Sequence, residues 1–214
     1  MAKIMIQYYF NFLVCRNRIT FIDIVLIPPL KLEILLAEDK KDIITTFKMA
    51  LEVRSHRVIV TDNGQKCLEL YHDKLQNIRY LTHASANVQP FDIVILDYMM
   101  PQINGLNVAK EILAVNPHQR ILFVSAYINS IVEESFATQQ LLKQETIEVL
   151  QKPVSPEVLI DTIEDRAIYS KLEKFGVNMD SAKAANFTHK QLLFLRDFLD
   201  RHMKKKSKKK PISR

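Results

Sequence analysis

Five short apolar runs, each followed by a stretch of helical period, constrain the fold of this 214-residue chain more than any other feature. Residues 32–37 are apolar apart from Glu33, and residues 42–53 then place Ile44, Phe47 and Leu51 at i, i+3 and i+7. Residues 57–61 form a second run rich in Val and Ile, and Asp62-Asn63-Gly64 turns the chain into a helix through Leu68 and Leu70. Residues 75–90 keep no clean period and end in Pro90, which predicts an extended helix followed by a surface loop. Residues 91–96, 120–124 and 147–150 are the remaining strands. Helices are expected from Gly105, over 128–143, and from Ser155-Pro156 to about Gly176.

Five β–α units in series predict an α/β domain with a parallel sheet and helices on both faces. Right-handed crossovers leave few strand orders, and five such strands favour the flavodoxin-like, doubly wound order 2-1-3-4-5. Ligands of such sheets bind beyond the carboxyl ends of the strands, where the order reverses between strands 1 and 3. Strand 1 ends in Glu38-Asp39 and strand 3 in Asp97, so three carboxylates converge on one rim. Carboxylates this close raise one another's pKa unless a cation lies between them, and Mg²⁺, which prefers oxygen ligands, suits the set. An ionised Asp97 is then a competent nucleophile toward a phosphoryl group. Strand 4 adds the Ser125 hydroxyl and strand 5 the Lys152 ammonium, followed by Pro153 across a bond that can be cis.

Taken in order, Glu38-Asp39, Asp97, Ser125 and Lys152-Pro153 resemble the signature of receiver domains of two-component response regulators. The resemblance extends to Asp97-Tyr98-Met99-Met100-Pro101 followed by Gly105, and covers roughly residues 31–175. It implies that Asp97 accepts a phosphoryl group from a histidine kinase or phosphotransfer protein. It further implies that Glu38, Asp39, Asp97 and the main-chain carbonyl of Met99 hold Mg²⁺, that Ser125 hydrogen-bonds the phosphoryl group, and that Lys152 pairs with it. Such a protein is a phosphoacceptor regulator and not a turnover enzyme. Two features depart from the pattern: Val149 stands where the family often has Tyr or Phe, and residues 126–147 are longer and more polar than usual.

Beyond the receiver, expected over 31–176, the chain divides by composition. Residues 1–30 are apolar but interrupted by Gln7, Asn11, Arg16, Asn17, Arg18 and Asp23, short of a membrane span. They read as a weakly ordered extension or an unused upstream start, with a peripheral anchor as the alternative. Residues 177–203 read as a linker and an amphipathic helix, with a Thr188/Gln191 capping box and Leu192, Leu195 and Leu199 on one face.

Residues 204–214 are a basic tail. Removing its six lysines and Arg214 from the net charge of +6 leaves the body at −1, a sum that does not support a uniformly basic binding face. The tail, from Lys204 to Lys210, is either solvated or an electrostatic grip on nucleic acid or an acidic surface. The lone helix can pair with a second copy, giving a homodimer, or cover part of the receiver. Two cysteines without metal-ligand spacing suit a reducing compartment, and the expected location is the cytoplasm. An Asp-nucleophile phosphatase is the competing enzyme reading. Those enzymes generally need a second Asp two residues on, where this chain has Met99.

Overall fold

β-Branched runs paired edge to edge set the architecture. In a computed structural model that describes residues 30–82, 88–127, 136–174, 177 and 187–207, five strands form one parallel sheet in the order β2-β1-β3-β4-β5. The elements are β1 (Glu33–Ala37), α1 (Lys41–Val53), β2 (Arg57–Thr61), α2 (Gly64–Thr82), β3 (Ile93–Leu96), α3 (Gly105–Val115), β4 (Ile121–Ser125), α4 (Phe136–Leu142), β5 (Ile147–Gln151), α5 (Pro156–Lys174) and α6 (His189–Ser207). The doubly wound order and the strand positions match the expectation from the sequence. The extension over 1–30 and most of the basic tail lie outside the described residues, as does the expected start of the fourth helix at 128. Among the described residues, no helix is long and apolar enough to cross a membrane.

The chain divides into two compact units, of which residues 30–160 are one. Strand alternation sends Leu35, Ala37, Val94 and Leu96 to one face, where Cys67, Leu68, Tyr71 and Leu75 of α2 and Leu106, Val108, Ala109 and Ile112 of α3 complete a dry core. Ile34, Leu36, Ile93 and Ile95 take the opposite face and are equally buried, as are Phe47 and Leu51 of α1. At the amino-terminal end of the sheet the core is polar. Tyr71 donates to Gln119 Oε1 at 3.1 Å, Asn116 Nδ2 donates to the Tyr71 oxygen and to the Val88 carbonyl, and Gln119 Nε2 reaches the Phe91 carbonyl. Burial pushes the Tyr71 phenol up to about 12, so it stays a neutral donor. This network ties the segments leading into β3 and β4 to α2 and the end of α3, and its members share no sequence spacing that announces it.

Helix α1 ends in a Schellman motif, with Ser55 N–H bonded to the Glu52 carbonyl and His56 N–H to that of Leu51. Ser55 occupies the left-handed region at φ 71, where glycine is favoured. Ser55→Gly is therefore expected to stabilise the domain by about 1 kcal/mol, read as a higher urea midpoint at unchanged slope.

In the second unit the Thr188/Gln191 capping box forms as expected, Gln191 Oε1 accepting from Thr188 N–H at 2.8 Å. Leu192, Leu195 and Leu199 are all buried. His189 was not singled out by any sequence pattern, yet its Nδ1 lies 2.5 Å from Asp165 and its Nε2 2.8 Å from Glu164, both on α5. Burial opposes the imidazolium charge, but hydrogen bonds to Asp165 and Glu164 outweigh it and raise the pKa to about 9. A raised folded pKa stabilises fully below the unfolded value and loses its contribution as pH climbs through the folded one. Once the intrinsic acceleration of exchange with pH is divided out, amide protection of α6 is therefore expected to change little between pH 5 and 7 and to fall by pH 10. His189→Gln should remove that pH dependence and cost on the order of 2–3 kcal/mol at neutral pH.

Candidate phosphoryl and metal site

The carboxyl ends of four strands build the site: Glu38 and Asp39 follow β1, Asp97 follows β3, Ser125 ends β4 and Lys152 follows β5. Asp97 N–H donates to the Ala37 carbonyl, and Glu38 N–H to that of Thr61. These bonds extend the ladder by one residue and fix both acids at the fork between β1 and β3. Glu38, Asp39 and Asp97 can each offer one oxygen, and these atoms lie within 4.8 Å of one another. Glu38 and Asp97 are buried and Asp39 is exposed. The bland reading of Asp39 as the cap of α1 fails: Lys40 is the N-cap residue and makes no side-chain cap bond. The Asp39 carboxylate is thus not spent on the helix.

Lys152 lies over the two buried acids, its Nζ 2.5 Å from Glu38 Oε2 and 3.2 Å from Asp97 Oδ2. Its main-chain N–H donates to the Ser125 carbonyl at 3.0 Å, which registers the lysine against β4, and the Lys152–Pro153 bond is cis. Burial pushes the Glu38 carboxyl above its usual range; the Lys152 hydrogen bond opposes that shift and the Asp97 charge adds to it. Such a pair of acids, held by one ammonium and an exposed third carboxylate, fits a hard divalent cation with oxygen ligands. Met99, whose carbonyl the sequence reading assigned to the metal, lies two residues past Asp97 with its side chain exposed.

Three local features hold this geometry. Asp97 Oδ1 accepts from the N–H of Tyr98 at 2.8 Å, which orients the carboxylate. Gly105 N–H bonds to the Tyr98 carbonyl, and a Cβ on Gly105 would lie 2.0 Å from the Asp97 carbonyl oxygen, so only glycine lets α3 begin there. Asn104 caps α3 by accepting from Asn107 N–H at 2.9 Å. The Ser125 hydroxyl, fully buried, accepts from Tyr127 N–H at 3.2 Å, a contact no spacing in the sequence signals. Val149 packs, partly buried, against the α2–α3 core.

The description of the response regulator receiver domain matches residues 34–164, well over half of the chain. This chain belongs to the response regulator receiver family. It is 28% identical over 157 residues to the transcriptional regulatory protein ZraR of Salmonella typhimurium, a match covering 73% of this chain and 31% of that protein. It is 27% identical over 135 residues to the response regulator receiver protein CpdR of Brucella abortus, covering 63% of this chain and 96% of that one. The chain thus spans about a third of the length of ZraR and nearly all of CpdR. Among solved structures, a response regulator receiver domain protein from Clostridium thermocellum superposes with a TM-score of 0.51 at 21% identity. That match covers 65% of this chain and 97% of that one, and shows the shared flavodoxin-like fold.

Proposed function

We propose that this receiver takes a phosphoryl group on Asp97 from a histidine kinase or phosphotransfer protein in the cytoplasm, with Mg²⁺ bound, and thereby switches a partner-binding surface. The observation that carries the reading is the convergence of Glu38, Asp39 and Asp97 within 4.8 Å beneath the Lys152 ammonium. In the transfer, an Asp97 carboxylate oxygen forms a bond to phosphorus as the bond from phosphorus to the donor nitrogen breaks, and the electron pair leaves with the donor imidazole. Glu38, Asp39 and Asp97, with the Met99 carbonyl, would hold Mg²⁺, which supplies positive charge to the phosphoryl oxygens when bound. Lys152, already 3.2 Å from Asp97 Oδ2, would pair with the phosphoryl oxygens. Ser125 keeps its hydroxyl proton free while Tyr127 N–H occupies its oxygen, so it can donate to a phosphoryl oxygen.

The protein acts as its own phosphoacceptor and not as a turnover phosphatase, since Met99 offers no acid/base where those enzymes use one. With Val149 at the usual aromatic position, a packing shift on phosphorylation would have to be carried by other side chains. An acyl phosphate is cleaved by hydroxylamine, whereas a phosphoserine is not. Treatment with a small acyl-phosphate donor and Mg²⁺ is expected to give one adduct that disappears in hydroxylamine. A hydroxylamine-resistant adduct, or none, would contradict the reading.

A further inference from the structure

Away from Asp97, the outer edge of β2 opens into a groove of about 510 Å³ lined by Ile44 of α1, Val60 and Thr61 of β2, and Glu69, Leu70 and Asp73 of α2. Among the described residues, strand β2 has a single neighbour, β1. Arg57 N–H bonds to the Leu32 carbonyl, and the Thr61 carbonyl accepts from Glu38 N–H. In a parallel ladder every second residue turns its N–H and C=O to the neighbour. Residues 57, 59 and 61 face β1, which leaves the main-chain groups of Val58 and Val60 pointing outward along the groove. An edge of this kind is a template for another strand.

The groove also carries a net negative charge, three acids against one lysine. Asp62, Lys66, Glu69 and Asp73 follow one another along a single stripe at the start of α2. Lys66 is committed to Asp62, 2.9 Å away. Among the described residues, Glu69 and Asp73 face the groove without a cation, and Glu69 accepts from Gln65 Nε2 at 2.9 Å. Arg57, at the far end of β2, is turned to Glu33. The Thr61 hydroxyl, buried in the groove wall, has no conventional hydrogen-bond partner among the described residues and faces the Cys67 sulfur, to which it can donate weakly.

Glu69 and Asp73, four residues apart on a helix, are separated by about 6 Å along its axis, and side chains on one face of a strand repeat at about 6.6 Å. Lysines at i and i+2 of an added strand would therefore meet both carboxylates, while Ile44 and Leu70 receive apolar side chains. We infer that the β2 edge is a docking site for an extended, lysine-bearing peptide segment of a partner protein, bound by strand addition and by Glu69 and Asp73. This surface is separate from the Asp97 site and its occupancy does not depend on phosphorylation.

The test is fluorescence polarisation at low ionic strength with a fluorescein-labelled hexapeptide in which lysine alternates with valine. Its control is the same peptide with the central valine replaced by proline, which keeps the charge and removes a ladder donor. Saturable binding of the first peptide is expected, with chemical-shift changes at the Val58 and Val60 amides. Both E69K/D73K and the milder E69Q/D73N, on exposed positions that leave the core intact, should weaken it, the charge reversal by roughly tenfold or more. The proline peptide should bind weakly to the wild type. Absence of saturable binding, equal binding by both variants, or equal binding of the proline peptide would each overturn the inference.

Discussion

Asp97→Asn is expected to abolish covalent labelling by a phosphodonor in the presence of Mg²⁺, while the wild type gains the mass of one phosphoryl group. The amide is nearly isosteric with the carboxylate and keeps an oxygen for the Tyr98 N–H, so the loop geometry survives. What it loses is the charge that makes the side chain a nucleophile and one of the oxygens facing the cation. Urea denaturation should report a folded protein, so loss of labelling cannot be assigned to loss of the domain. Labelling of the variant at the wild-type level would move the acceptor elsewhere and remove the chemistry proposed for the whole rim.

Lys152→Met should have the second largest effect, and it concerns stability as well as chemistry. The ammonium touches both Glu38 and Asp97, whose side chains are only 2% and 6% exposed. Removing one partner of a buried ion pair leaves uncompensated charge, at a cost of about 3–5 kcal/mol. In chelator-containing buffer the variant should therefore unfold at much lower urea than the wild type. Added Mg²⁺ should recover part of the loss, because any ligand bound only by the native state stabilises it. Labelling should also slow by on the order of 10²-fold, as expected when a fixed charge is taken from a transferring group. Equal stability of variant and wild type without metal would mean that the lysine does not hold the two acids together.

Much of the fold could be read from residue order, because parallel strands buried on both faces appear as continuous apolar runs. β3 (Ile93–Leu96) is the clearest case, apolar throughout and buried throughout. The site was readable for a related reason: in this topology the residue after a strand lands on the ligand-binding rim, so Glu38, Asp97 and Lys152 could be placed together before any coordinates. Asp39 was placed on the same rim, although an acid before a helix can also serve as its cap, and here the cap position falls to Lys40. The contacts that stayed hidden are those made across long sequence separations by residues with no periodic signature. Tyr71 meets Gln119 across 48 positions, and His189 reaches Asp165 across 24. The expected order 2-1-3-4-5 already put β2 at an edge, but the groove beside it, lined from both α1 and α2, has no signature in residue order.

The acceptor can be located chemically. Borohydride reduces an aspartyl phosphate to homoserine, leaving a permanent mark at the modified residue. After treatment with a phosphodonor and Mg²⁺, reduction and proteolysis, tandem mass spectrometry should find homoserine at position 97 and aspartate retained at position 39. Homoserine at another acidic position, or an unmodified Asp97 in protein that carries a phosphoryl group, would contradict the assignment of Asp97 as the acceptor.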